Sequence, residues 1–234
     1  MEEILRSLDT TRQALLPQMK VLEEHYLVDH YDDTYELTTI GKLIVDEIAP
    51  LLNTVETLES DIDYWGNRNL DFIPPHLFKR ISELEECTIV NPSITQIYEL
   101  NDKITDSCYN SDSVSMIAAS FHPDYPAIFS EMANKNVKVN AIFSKDVLEH
   151  LQKNYYPFLE EMIKGKSFNI SFFPKLDLVG LIVNDHYMLM RILKNNNEVD
   201  GQYILCNNPT ALEWGKELFE YYLKDSVPIN EISS

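Results

Sequence analysis

The sequence predicts an α+β protein in two parts, a small helical head with a β-hairpin and a larger C-terminal mixed-sheet α/β domain. Three observations carry this. Residues 8–37 read as helix, turn and two short strands, and residues 38–63 hold one long apolar stripe at helical spacing. Beyond residue 76, strand-like runs alternate with helical ones and then form a meander, the pattern of a mixed sheet with helices on its faces.

The first element is residues 1–8 (MEEILRSL), where Ile4, Leu5 and Leu8 share one helical face. Asp9 and Thr10 make a turn, and Thr10-x-x-Gln13 has the form of a capping box opening a helix to about Glu24. In that helix Leu15, Met19 and Leu22 face a core, while Gln13, Pro17, Lys20 and Glu24 lie opposite. Pro17 removes one ladder bond and is expected to kink the helix. Residues 25–28 lead into one strand, Asp32–Asp33 turn the chain, and residues 34–37 form a second. Helix, turn, helix and two-stranded wing outline a winged helix-turn-helix, which lays its second helix in the DNA major groove. Thr10, Thr11, Arg12 and Gln13 are the first-turn candidates for base contact, with Lys20 further along. The wing, through His30, Tyr31 and Thr34, is the candidate for backbone or minor-groove contact. A plain solvated helix face is the competing reading. His25 and His30 read as surface histidines rather than metal ligands.

Thr38 or Thr39 caps a long helix whose Ile40, Ile44, Ile48, Leu51, Val55, Leu58 and Ile62 approach an a/d seam from Ile44 onward. Ile44, Ile48, Leu51, Val55 and Leu58 are therefore the candidate dimer contacts, and packing against the chain's own second half would leave the same stripe. Pro50 is expected to bend or restart this helix. Residues 64–75 (YWGNRNLDFIPP) lack periodicity and carry a Pro-Pro pair, marking a packed linker between residues 1–63 and 76–228.

In the second part, helices are expected near residues 76–84, 94–100, 124–134, 144–153, 156–163 and 209–224, with residues 101–112 as loop. Strands are expected near 87–90, 113–119, 137–143, 168–173, 178–183, 187–193 and 202–206. Asn184, Asp185 and His186 form a tight turn that makes an antiparallel hairpin of two of them. The loop Ser120-Phe121-His122-Pro123 follows a strand and precedes a helix, so helix N–H groups there would hold an anion. Ser120, His122 and Tyr125 would supply polar contacts and Phe121 an apolar wall to a small-molecule effector; a capped turn with His122 satisfied by backbone is the alternative.

Composition narrows the function classes. A net charge of −19 disfavours non-specific binding to nucleic acid or anionic membrane. Residues 1–60 hold four basic against thirteen acidic residues, a net of −9, and phosphate contacts supply most DNA affinity. Residues 10–22, however, carry Arg12 and Lys20 and no acid, a local patch that screening at roughly 8 Å sets apart. No run of about 18 apolar residues occurs, which excludes a transmembrane helix, and the acidic N-terminus is unlike a secretory signal. Cys87, Cys108 and Cys206, odd in number and widely spaced, predict free, mostly buried thiols in a reducing cytoplasm. No phosphate loop, dinucleotide fingerprint, zinc spacing or nucleophile elbow is present, and no cofactor or metal is expected. The expectation is a non-enzyme.

Taken together, LPQMKVLEEHYLV, YELTTIGKLIVDEIAPLLNT, DYWGNRNLDFIPPHLFKRISEL, SFHPDYPAIFSEMANKNVKV and NPTALEWGKELFEYY resemble a family of archaeal regulators common in methanogens. Their C-terminal half is the methanogenesis regulatory protein (Fil-type) middle domain. The resemblance covers nearly the whole chain. It implies a homodimeric transcription regulator of the arsenical-resistance-repressor (ArsR) type, bound to double-stranded DNA, with a C-terminal domain for effector sensing or assembly. That domain also looks like a remote half of the phospholipase-D-like fold, but no His-x-Lys occurs in the chain, so the catalytic motif of those enzymes is missing. Family members carry a further helix before the segment matching residues 1–8, so the first helix of the head is expected to be missing. The alternative function is a ligand-sensing or protein-interaction module whose winged helix no longer binds DNA.

Overall fold

In the computed structural model, residues 1–32 and 34–230 are described, and they divide into two compact units at Val55/Glu56. Asp33, half of the predicted Asp32–Asp33 turn, lies outside the described residues.

The first unit begins with α1 (Glu2–Ser7) and α2 (Arg12–Glu24). The cap of α2 is Thr11, not Thr10: its hydroxyl accepts from Ala14 N–H at 3.4 Å. Thr10 N–H is already committed to Leu5 O, which shifts the start by one residue. Pro17 sits inside α2 without ending it. A hairpin follows, β1 (Val28–Tyr31) against β2 (Thr34–Leu37), antiparallel with Val28 opposite Leu37. Leu15, Met19 and Val28 form a small core closed by Met1, Ile4, Leu5 and Tyr35. Leu22, expected inward, is instead exposed. Thr38 caps α3 (Thr39–Glu59), accepting from Gly41 N–H at 2.9 Å while donating to Tyr26 O at 2.6 Å. Pro50 lies within α3, which runs unbroken through it, so of the two expected outcomes, a bend or a restart, the restart does not occur.

In the second unit the segment expected as a linker is core. Tyr64 and Trp65, on the short α4 (Ile62–Gly66), and Phe72 and Ile73 are all at most 5% exposed. Aromatic bulk outweighs the Pro and Asn signals there. Next come α5 (Pro75–Phe78), one 3-10 turn (Ile81–Leu84) and β3 (Thr88–Val90). No helix forms near residues 94–100, where Ile94 and Tyr98 point into solvent. Residues 101–112, expected as loop, contain α6 (Asp102–Tyr109), capped by Asn101 and burying Ile104 and Cys108. One buried face is enough for a helix whose other face is polar.

The remaining elements are β4 (Ser113–Ala118), α7 (Tyr125–Asn134), β5 (Lys138–Ser144), α8 (Lys145–Asn154), α9 (Tyr156–Lys164), β6 (Phe168–Phe173), β7 (Gly180–Val183), β8 (Met188–Arg191), β9 (Tyr203–Cys206), α10 (Pro209–Lys224) and the edge strand β10 (Val227–Pro228). They build one eight-stranded mixed sheet in the order β10-β6-β5-β4-β7-β8-β9-β3. β4, β5 and β6 are parallel and joined by helices; the others pair antiparallel. Alternation along the strands splits the core in two. Ile117, Ile142, Met188 and Met190 pack with α5 and α10, whose Trp214 Nε1–H donates to Leu77 O at 3.0 Å. Val114, Met116, Ala118, Ala141 and Leu189 face the other way, against α6 to α9.

Two of the three cysteines are not free. Cys87 and Cys206 are disulfide-bonded across the β3–β9 pair, with Cα atoms 4.5 Å apart, and only Cys108 remains a buried thiol. Spacing along the chain does not reveal that sheet pairing makes them neighbours.

Candidate functional site

Two surfaces hold the predicted functional residues, one in each unit. In the first unit, Leu15 and Met19 anchor α2, and this leaves Thr11, Arg12, Gln13 and Lys20 exposed along its outer side. Thr10 is half-buried in the turn, and Thr11 spends its hydroxyl on the cap. Lys20 makes only a loose i,i+4 pair with Glu24 at 3.8 Å, both largely in solvent, which contributes little. On the hairpin, His30 stacks flat on Tyr35 with centroids 4.2 Å apart, while Tyr31 and Thr34 are exposed. Asp29, Asp32 and Glu36 share that hairpin, so its charge is mainly negative. The seam residues Ile44, Ile48, Leu51 and Val55 on α3 are 37–62% exposed. Leu58 differs: it packs against the core of the second unit and is accounted for within one chain.

In the second unit, α6, α7, the 97–101 segment and strands β4, β7 and β8 enclose a cavity of about 450 Å³. That is a common size for a small-molecule site. Its walls are mostly apolar, including Met116, Phe129, Leu178, Ile182 and Leu189. Ser120, Phe121, His122 and Tyr125 all lie on its lining, so the loop singled out in the sequence is brought together there. Phe121 and Tyr125 meet edge-on at 5.6 Å.

The chemistry of the loop follows the alternative reading, a turn with His122 satisfied by backbone, rather than the anion cradle. His122 Nε2 donates to Tyr98 O at 2.9 Å, and its Nδ1 accepts from Asp124 N–H at 3.1 Å. Both nitrogens are thus spent on backbone, and His122 ties the 97–101 segment to the α7 entrance. The start of α7 is also a poor anion cradle. Tyr125 N–H donates to His122 O, Pro126 has no N–H, and the exposed Asp124 carboxylate stands at the same end. Burial raises the Tyr125 phenol above its ordinary value, with Arg191 opposing, so a neutral O–H borders the cavity. Burial likewise pushes the Cys108 thiol up to about 11, although Asn184 donates to its sulfur at 3.4 Å. It is no thiolate nucleophile at neutral pH.

Sequence reasoning missed Arg191. This residue ends β8 and lines the cavity, its guanidinium 5.5 Å from the Tyr203 ring centroid. The available signal was a lone arginine interrupting the apolar run Met188-Leu189-Met190-Arg191-Ile192-Leu193. Among the described residues no group of three or more His, Cys, Asp and Glu is placed to hold a metal ion. No helix among them is long and apolar enough to cross a membrane.

The cavity belongs to a region with known relatives. Residues 97–225, more than half of the chain, match the family "Methanogenesis regulatory protein FilR1, middle domain", and the chain belongs to that family. It is 22% identical over 224 residues to methanogenesis regulatory protein FilR1 of Methanothrix harundinacea (strain 6Ac), a match covering 93% of this chain. The chain spans about half the length of that relative. Among solved structures it is similar to TrmBL2, an archaeal chromatin protein whose structure shows a novel mode of DNA binding. That match has a TM-score of 0.50 and 13% identity, covering 90% of this chain and 80% of that one. At TM-scores of 0.40 it also matches Nuc, a phospholipase D family member from Salmonella typhimurium (13% identity), and phosphatidylserine synthase from Haemophilus influenzae Rd KW20 (12% identity). Each match covers 55% of this chain; they cover 90% and 36% of those chains.

Proposed function

We propose that this protein is a homodimeric, cytoplasmic transcription regulator whose residues 1–63 bind double-stranded DNA and whose C-terminal domain, residues 76–228, senses a small-molecule effector. The observation that carries the reading is the build of α2. Its inner face supplies the small core, while Arg12, Gln13 and Lys20 stand in solvent beside a two-stranded hairpin. We read this build as an ArsR-type winged helix-turn-helix, in which first-turn side chains reach base edges and the wing, here with His30, Tyr31 and Thr34, touches the backbone or minor groove. Thr10 and Thr11 position the turn. The exposed stripe Ile44, Ile48, Leu51 and Val55 on α3 supports pairing with a second copy, which would bring two readers to two half-sites. We read the strand–loop–helix run through β4, α7 and β5 as a remote half of a phospholipase-D-like fold, kept as a binding scaffold without its catalysis.

The test is binding of the full chain to the DNA upstream of its own gene, by fluorescence anisotropy across ionic strengths. Salt-dependent binding weakened by Arg12→Ala and Lys20→Ala is expected, since each lost phosphate contact lowers the salt slope by about one. Absence of salt-dependent binding at every ionic strength overturns it. A second reading, a sensing module whose head no longer binds DNA, draws on the acidic hairpin and the −9 charge of residues 1–60. The same titration separates the two.

A further inference from the structure

We propose that the cavity of the second unit takes a small apolar monocarboxylic acid, its carboxylate held by Arg191 and its hydrocarbon part by the Met116, Phe129, Ile182 and Leu189 walls. This rests on the effector-sensing reading of that unit and names the chemistry of the effector.

The argument starts from charge pairing. The unit has three arginines. Arg68 is held by Asp200 at 2.9 Å, and Arg80 by Glu83 at 2.7 Å and Glu217 at 2.8 Å. Arg191 has no carboxylate partner among the described residues, although the chain carries twice as many acids as bases. It stands half-buried on the wall of a mostly apolar cavity, and an unpaired charge beside low-dielectric surroundings is costly unless something compensates it. Its backbone is fixed in the sheet, opposite Gly180 and accepting from Val179 N–H at 3.1 Å. The Tyr203 ring lies near the guanidinium, and its hydroxyl accepts from Asn101 Nδ2–H at 2.8 Å. This is a positioned cation whose N–H fork is unclaimed among the described residues.

A planar carboxylate matches that fork with two parallel hydrogen bonds. One guanidinium balances one negative charge, and Glu99, the sole acid on the described lining, disfavours a second. A phosphate monoester, with close to two charges, is therefore the poorer fit. The neutral Tyr125 hydroxyl and Cys108 thiol add no competing charge to the walls.

The test is calorimetric titration of the full chain with decanoate, decanol and decylamine below micelle-forming concentrations, on wild type, Arg191→Gln and Arg191→Lys. In wild type, saturable decanoate binding is expected, tighter than decanol by about tenfold or more, with decylamine weakest. Arg191→Gln should weaken decanoate by about ten- to a hundred-fold and leave decanol unchanged, the latter showing that fold and walls stand. Arg191→Lys, keeping the charge but not the fork, should fall between. Decanol binding as tightly as decanoate, or decanoate indifferent to Arg191→Gln, overturns the carboxylate assignment while an apolar effector pocket survives. If none of the three ligands binds wild type, both the assignment and the pocket fall. Decanoate bound through Arg191 with no effect on DNA affinity supports the assignment and overturns the effector role alone.

Discussion

Gly41 faces the carbonyl of Leu27 so closely that a Cβ on Gly41 would lie 2.0 Å from that oxygen. The start of α3 is thereby pressed onto the chain leading into β1, and Thr38 clips the same place by donating to Tyr26 O. Gly41→Ala must push these segments apart. Overpacking of this kind costs about 1–3 kcal/mol, a large share of what so small a core supplies. Hydrogen exchange should show lost protection in residues 11–37 with the sheet of the second unit unchanged.

Asn184 is the buried keystone of the β7–β8 turn. Its Nδ2–H donates to Ser107 Oγ at 2.7 Å, and its Oδ1 accepts from the His186 and Tyr187 N–H groups at 2.9 Å each. Asn184→Ala leaves these partners unsatisfied inside the protein. A loss of about 3 kcal/mol is expected in urea denaturation.

Asp200 links pH to stability. Burial works to raise its pKa, but the hydrogen bond and charge of Arg68, the Gln202 N–H and Lys194 outweigh it and hold the carboxyl below its ordinary 3.8. A depressed carboxyl contributes stability that is complete above its unfolded value and is lost as pH falls through the folded one. Urea midpoints should therefore fall below about pH 4 in wild type, and less so in Asp200→Asn. At pH 7 that variant leaves Arg68, whose side chain is 1% exposed, without its counter-ion, costing about 3 kcal/mol.

The Cys87–Cys206 bond closes a loop spanning 119 positions. Reduction with dithiothreitol, or Cys206→Ser, should lower stability by about 3 kcal/mol. In unfolded, unreduced protein only the Cys108 thiol should titrate.

The α3 stripe is tested by Ile48→Glu combined with Leu51→Glu. Both positions are exposed, at 46% and 62%, so the fold of one chain should stand. On the proposed pairing, light scattering should report a dimer for the wild type and a monomer for this variant, with DNA affinity dropping alongside.

Periodicity and caps are local properties, and they were readable from residues alone. The hairpin at Asn184, α10 and its apolar stripe, the pairing of long strands with long helices, and the loop from Ser120 to Tyr125 all follow from spacing within a few residues. Where local signals were weak or mixed, tertiary packing decided. Residues 64–75 carry turn residues yet became core because Tyr64, Trp65 and Phe72 found partners far along the chain. Residues 101–109 are polar yet form α6 because Ile104 and Cys108 cover the sheet. The Cys87–Cys206 bond, the choice of Tyr98 O as the partner of His122, and the arrival at the cavity wall of Arg191, without a carboxylate partner among the described residues, depend on the tertiary fold. Sequence by itself determined the strongly periodic helices and strands, the excess of negative charge, and that a small helical head with a β-hairpin precedes an α/β domain. Only the tertiary structure decided which charges meet and which cavity they face, because strand order brings together residues that lie a hundred or more positions apart.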